Sequence, residues 1–130
     1  MYRLQQEEIK LKNLFLDYAR WTSVRKAKDW LKNNNIEVEI RPIVSNTPTK
    51  EELLSWIQKY NVDVKKFFNS NGKIYKENNL KDKIDDFSID ECCDMLSKEP
   101  MLIKRPIFMN DEVILFGFKQ KEWEENLLKK

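Results

Sequence analysis

Leu14, Phe15 and Leu16 form a short apolar run within a first strand that reads as Lys12 to Tyr18, and further on Val24, Ala27, Trp30 and Leu31 recur at helical spacing. Thr22 or Ser23 can cap that helix at its start, and Asn33-Asn34-Asn35 ends it at about Asn34. Ile36, Val38 and Ile40 then alternate with Glu37 and Glu39, the two-residue period of a half-buried strand. A strand, a helix and a second strand in that order favour parallel pairing with a right-handed crossover. The chain therefore starts as an α/β fold.

The remaining segments extend that start. Thr49 and Glu52 form a capping box that opens a helix with Leu53, Trp56, Ile57 and Tyr60 inward. Residues 62–80 read as short helical pieces broken around Asn69-Ser70-Asn71-Gly72. Ser88 and Glu91 form a second capping box, and Ile89, Cys92, Cys93 and Leu96 make the inward stripe of its helix. Residues 101–109 and 112–118 read as two strands paired across Asn110-Asp111. A last helix, 121–128, packs through Trp123, Leu127 and Leu128. The expected sheet is four-stranded and mixed, flanked by helices, with a helical insertion between its second and third strands. Residues 1–11 read as a polar N-terminal extension and 12–130 as a single domain, a length sufficient for one core.

Composition excludes several kinds of chemistry. There is no histidine, which removes the usual general base and the commonest metal ligand. Two glycines leave no phosphate-cradling loop, so no cofactor or metal is expected. The 24 basic and 22 acidic residues are interleaved, which argues against direct nucleic-acid binding. No apolar run approaches the ~20 residues of a membrane span and no leader is visible, so the expectation is a cytoplasmic chain without a membrane partner. Cys92 and Cys93 are adjacent and lie on a helical stripe, where free cysteine packs as a small hydrophobe.

Several segments taken together resemble the arsenate reductase-like family with the thioredoxin fold, which includes the Spx-type transcriptional regulators. Tyr18-Ala19-Arg20-Trp21-Thr22-Ser23-Val24-Arg25-Lys26-Ala27 stands where that family reads Y-P-x-C-[ST]-T-C-[RK]-K-A. Asn46-Thr47-Pro48-Thr49-Lys50-Glu51-Glu52-Leu53 is similar to its N-P-T-x-E-E-L helix start. The stretch from Lys66-Phe67-Phe68-Asn69 to Tyr75-Lys76 resembles its F-N-T-S-G-x-x-Y-[KR] segment. Met101-Leu102-Ile103-Lys104-Arg105-Pro106-Ile107 resembles its M-L-[IV]-[KR]-R-P-[IL] strand, and Gly117-Phe118 with Trp123 match the end. The likeness runs from about Asn13 to Trp123 and is strongest to a small reductase-like branch without assigned function.

The resemblance implies a low-pKa cysteine at the helix start, held by backbone N–H groups and an oxyanion-facing arginine. In this chain the nucleophile position is Trp21 and the second cysteine position is Val24, so no catalytic residue is expected there. What the likeness carries over is an anion-binding set of Thr22, Ser23, Arg25 and Arg105, with Pro106 as the fold's cis-proline shaping the site. Three readings of function stay open. The first is a family member that has lost thiol redox catalysis and acts as a binding or regulatory protein. The second is a thiol-dependent oxidoreductase that reduces arsenate or a protein disulfide, drawing on glutathione, glutaredoxin or thioredoxin. The third is an Spx-type transcription regulator contacting RNA polymerase. The partners implied are a protein, either RNA polymerase or a redox protein, and a small oxyanion.

Overall fold

The computed structural model describes residues 13–128 except Ala19, and the expectations for the 1–11 extension and for Lys12 lie outside them. The described residues divide into two compact units, one built from 13–42 and 105–128, the other from Ile43–Lys104.

The first unit holds the sheet. Strand β1 (Leu14–Asp17) is followed by helix α1 (Thr22–Asn33) and strand β2 (Glu39–Pro42). After the return of the chain come β3 (Ile107–Met109), β4 (Ile114–Phe116) and the final helix (Gln120–Leu127). Sheet order is β2-β1-β3-β4, with β1 parallel to β2 and antiparallel to β3, and β3 antiparallel to β4. The parallel pair expected from the first forty residues is present, with Phe15 opposite Ile40. Phe15, Leu16, Ile107 and Phe108 are fully buried on the two central strands. Trp123 is fully buried too, its ring 5.1 Å from Phe118 and 5.6 Å from Phe108, and its Nε1–H donates to the Gly117 carbonyl at 3.0 Å. Gly117 has φ 71°, a conformation that favours glycine, and its N–H reaches the Pro106 carbonyl at 2.8 Å.

Three details differ from the sequence reading here. Strand β2 begins only at Glu39, and Ile40 is 39% exposed because β2 lies at the edge of the sheet. The hairpin is shorter than 101–118: its loop is closed by the Asn110 side chain, whose Oδ1 accepts from the Glu112 and Val113 N–H groups. Leu128 follows the last helix and is exposed rather than packed inward.

The second unit is helical: α2 (Lys50–Tyr60), the short α3 (Lys73–Glu77) and α4 (Leu80–Lys83), and α5 (Ile89–Lys98), which makes the final helix of the first unit α6. Both capping boxes are complete, Thr49 with Glu52 and Ser88 with Glu91. Cys92, Cys93 and Leu96 form the buried stripe of α5, while Ile89, its first residue, is 51% exposed. Residues 101–104 are not a strand as expected. Pro100–Leu102 is a 3₁₀ turn, and the backbone groups that would form a ladder bond elsewhere: Asn69 N–H donates to the Leu102 carbonyl and Lys104 N–H to the Phe67 carbonyl. Among the described residues no helix is long and apolar enough to cross a membrane.

Candidate functional site

Strand β1 ends at Asp17 and the chain turns sharply into α1, with the Trp21 N–H donating to the Tyr18 carbonyl at 3.1 Å. Trp21 occupies the N-cap position of α1. Its backbone is extended (φ −92°, ψ 134°) and its carbonyl accepts the first helical hydrogen bond, from Arg25 N–H at 3.2 Å. This corrects the expectation that Thr22 or Ser23 caps the helix. The cap is the last residue with extended backbone before the helical turn, and the fold puts that turn one residue earlier. An indole has no acceptor to offer, so α1 starts with no side-chain cap.

Arg105 reaches the same turn from the other segment of this unit. Its peptide bond to Pro106 is cis, as the resemblance implied, and the residue is 4% exposed just before β3. The guanidinium carbon lies 4.1 Å from the centroid of the Trp21 ring and 4.7 Å from that of Tyr18. The two rings meet edge-on at 6.4 Å and 70°. Both distances are well inside the range of a cation–π contact, and partial burial strengthens it. Burial lowers the Arg105 pKa from its ordinary value, but an arginine starts so high that it stays cationic.

The other expected site residues are distributed around this contact. Val24 is fully buried in the core beneath α1, with Ala27, Trp30 and Leu31, and Trp21 packs partly against the same cluster. Thr22 and Arg25 are exposed on the first turn and Ser23 is half-buried. Trp21 and Arg105 are thus brought together, with Pro106 following Arg105 in the chain, while the Thr22 and Arg25 side chains face solvent.

Two residues escaped the sequence reading. Tyr18 ends the expected first strand and opens the turn, and in the structure it supplies the second ring to Arg105. Asp17, which falls within the expected strand, is a 5% exposed carboxylate whose Oδ2 accepts from Lys28 Nζ at 3.2 Å. Its Oδ1 is buried without a hydrogen-bond partner among the described residues. An acid closing an apolar strand beside a helical lysine was the available signal. Cys92 and Cys93 lie in the other unit, both as buried free thiols. Desolvation raises both pKa values, and the Cys93 thiol is pushed up to about 11.

The sheet order, the helix placement and the cis-proline beside an α-helix start define a thioredoxin-like α/β protein. Residues 16–126 match the ArsC family model, and the chain belongs to the ArsC family. It is 41% identical over 112 residues to the Bacillus subtilis (strain 168) protein YusI, described as uncharacterized, covering 86% of this chain and 95% of that one. It is 29% identical over 104 residues to the global transcriptional regulator Spx 2 of Bacillus anthracis, covering 80% and 78% respectively. The crystal structure of an ArsC family related protein from Bacteroides fragilis is similar at a TM-score of 0.82 and 42% identity, over 89% of this chain and 98% of that one.

Proposed function

We propose that this chain is an ArsC-family protein without thiol redox catalysis, acting in the cytoplasm as a binding or regulatory protein. The observation that carries the reading is Trp21 at the N-cap of α1 with its ring against Arg105. Thiol–disulfide exchange needs a thiolate where the developing negative charge is stabilised, and an indole at that position offers no nucleophile. The two thiols the chain does possess are poorly suited to replace it. Both are buried, and both have pKa values shifted away from the thiolate.

The anion-binding set is retained within this proposal. The N–H groups of the first turn of α1 stand at an end with no side-chain cap, and the Arg105 guanidinium adds a positive charge nearby while its face meets the rings. Thr22, Ser23 and Arg25 border that end. A small oxyanion, or the carboxylate of a protein partner, suits these donors. A regulatory role also draws support from the similarity to a relative named as a transcriptional regulator. RNA polymerase is the partner that the resemblance implies.

Two measurements test this. Purified protein supplied with arsenate and either glutathione with glutaredoxin or thioredoxin with its reductase should give no turnover above the uncatalysed rate. Turnover abolished by Cys92→Ser or Cys93→Ser would replace this reading with the oxidoreductase one. Immobilised protein should retain a specific partner from lysate, and Trp21→Ala should weaken that retention. Recovery of RNA polymerase subunits would select the regulator reading.

A further inference from the structure

Strand β2 is the edge of the sheet, and its sequence is complementary to itself. In a strand, successive backbone N–H groups point to opposite sides. Glu39 N–H donates to the Asn13 carbonyl at 2.7 Å, so Glu39 and Arg41 direct their backbone groups at β1. The N–H and C=O of Ile40 therefore face the side on which no further strand lies among the described residues. The Ile40 side chain is 39% exposed and borders an open groove formed with Leu31, Ile36 and Val38 and rimmed by Lys28 and Lys32.

We propose that two copies of this chain pair through β2, antiparallel about a two-fold axis at Ile40. In that register Ile40 of each copy exchanges both backbone hydrogen bonds with Ile40 of the other, and Glu39 lies opposite Arg41 of the second copy. The pairing gives two opposite-charge contacts on one face and an apolar contact over the groove on the other. Neighbouring registers are disfavoured. Centring on Glu39 sets two carboxylates face to face, and centring on Arg41 sets two guanidinium groups face to face. Pro42, which has no outward N–H to donate, limits the ladder to the residues around Ile40. The β2 edge is short and the surface small, so the dimer is a weak one.

Sedimentation velocity across roughly 1 µM to 1 mM should show a reversible monomer–dimer equilibrium, the range in which such affinities are read. Glu39→Arg and Arg41→Glu, each counted twice by symmetry, should each weaken the dimer by about tenfold. The double variant Glu39→Arg/Arg41→Glu restores the opposite pairs and should recover the parent affinity. Ile40→Cys brings two thiols together across a hydrogen-bonded pair about 5.5 Å apart at Cα, within disulfide range. Under mild oxidation it should yield a covalent dimer that the parent does not form. Monomer at every concentration overturns the proposal, as does a dimer indifferent to both charge reversals. If a charge variant fails to fold, the Ile40→Cys cross-link decides alone, and its absence overturns the pairing.

Discussion

Trp21 and Arg105 are held in a contact that a reactive cysteine would not provide, and under the proposed function the turn around them is still able to stabilise negative charge. Substituting Trp21→Cys places a thiol at the cap of a 12-residue helix, with the Arg105 guanidinium at hand. Helix-start N–H groups and a cation lower a cysteine pKa from about 8.5 into the ~3.5–7.5 range. The introduced thiol should therefore react with iodoacetamide at about pH 6 much faster than a free thiol, given that range. A titration at or above the free-cysteine value would mean the turn has lost its anion-stabilising geometry and keeps only the family architecture. The buried Asp17 carboxylate next to the same turn leads to a different expectation. Its one hydrogen-bond partner among the described side chains is Lys28, which is itself partly exposed. Lys28→Met should therefore lower stability by about 1–2 kcal/mol, nearer the cost of an unsatisfied buried acceptor than that of a fully buried ion pair. Urea unfolding of the two proteins measures it, and an unchanged midpoint would show that Asp17 is satisfied otherwise.

The two capped helices of the second unit test local and tertiary contributions separately. Thr49→Ala or Ser88→Ala removes an acceptor for the N3 N–H of its capping box, and each should cost about 1 kcal/mol in chemical denaturation. Thermal scans that do not move would assign helix stability to packing alone. In α5 the Cys93 thiol is pushed from 9.0 to about 11, chiefly by desolvation, so folding favours its protonated form. The contribution is fully present below the unfolded value and is lost as pH rises from about 9 to about 11, at up to about 1.4 kcal/mol per pH unit. Cys93→Ala should flatten the pH dependence of stability in that window, and an identical slope in the variant would reject the burial explanation. These boxes and the α5 stripe were legible in the sequence because their determinants lie within a few residues of one another. Residues 101–104 were not, since their apolar alternation fits a strand while their backbone groups bond to the separate 67–69 segment. Ile89 was misplaced for a related reason: it fits the helical stripe but sits on the first turn, beyond the buried surface. At the site, the cis peptide bond before Pro106 was readable by resemblance. The cap position of Trp21 and the ring contact of Tyr18 depend on where the chain turns, and that information is not local.

Each compact unit is small, roughly sixty residues, a size at which one core rarely supplies more than about 3–5 kcal/mol. The first unit is also discontinuous in sequence. Its central strand β1 is flanked by β2 from the same segment and by β3 from a segment that arrives only after the whole of Ile43–Lys104. Half of the sheet therefore waits on a long loop closure, an entropy cost that the helical unit reduces if it is folded when the chain returns. We accordingly expect residues 12–130 to behave as a single domain with one cooperative transition. Trp123→Ala provides the test, since it deletes the ring that Phe15, Trp30, Phe108 and Phe118 surround and should cost about 3–5 kcal/mol. Amide exchange at β1 and β3 reports on the first unit, and labelling of Cys92 and Cys93 reports on the second. In a single cooperative domain the substitution accelerates both by the same factor. Exchange accelerated in the strands with thiol labelling unchanged would mean that the helical unit holds its structure alone, and 12–130 would then be two folding units rather than one.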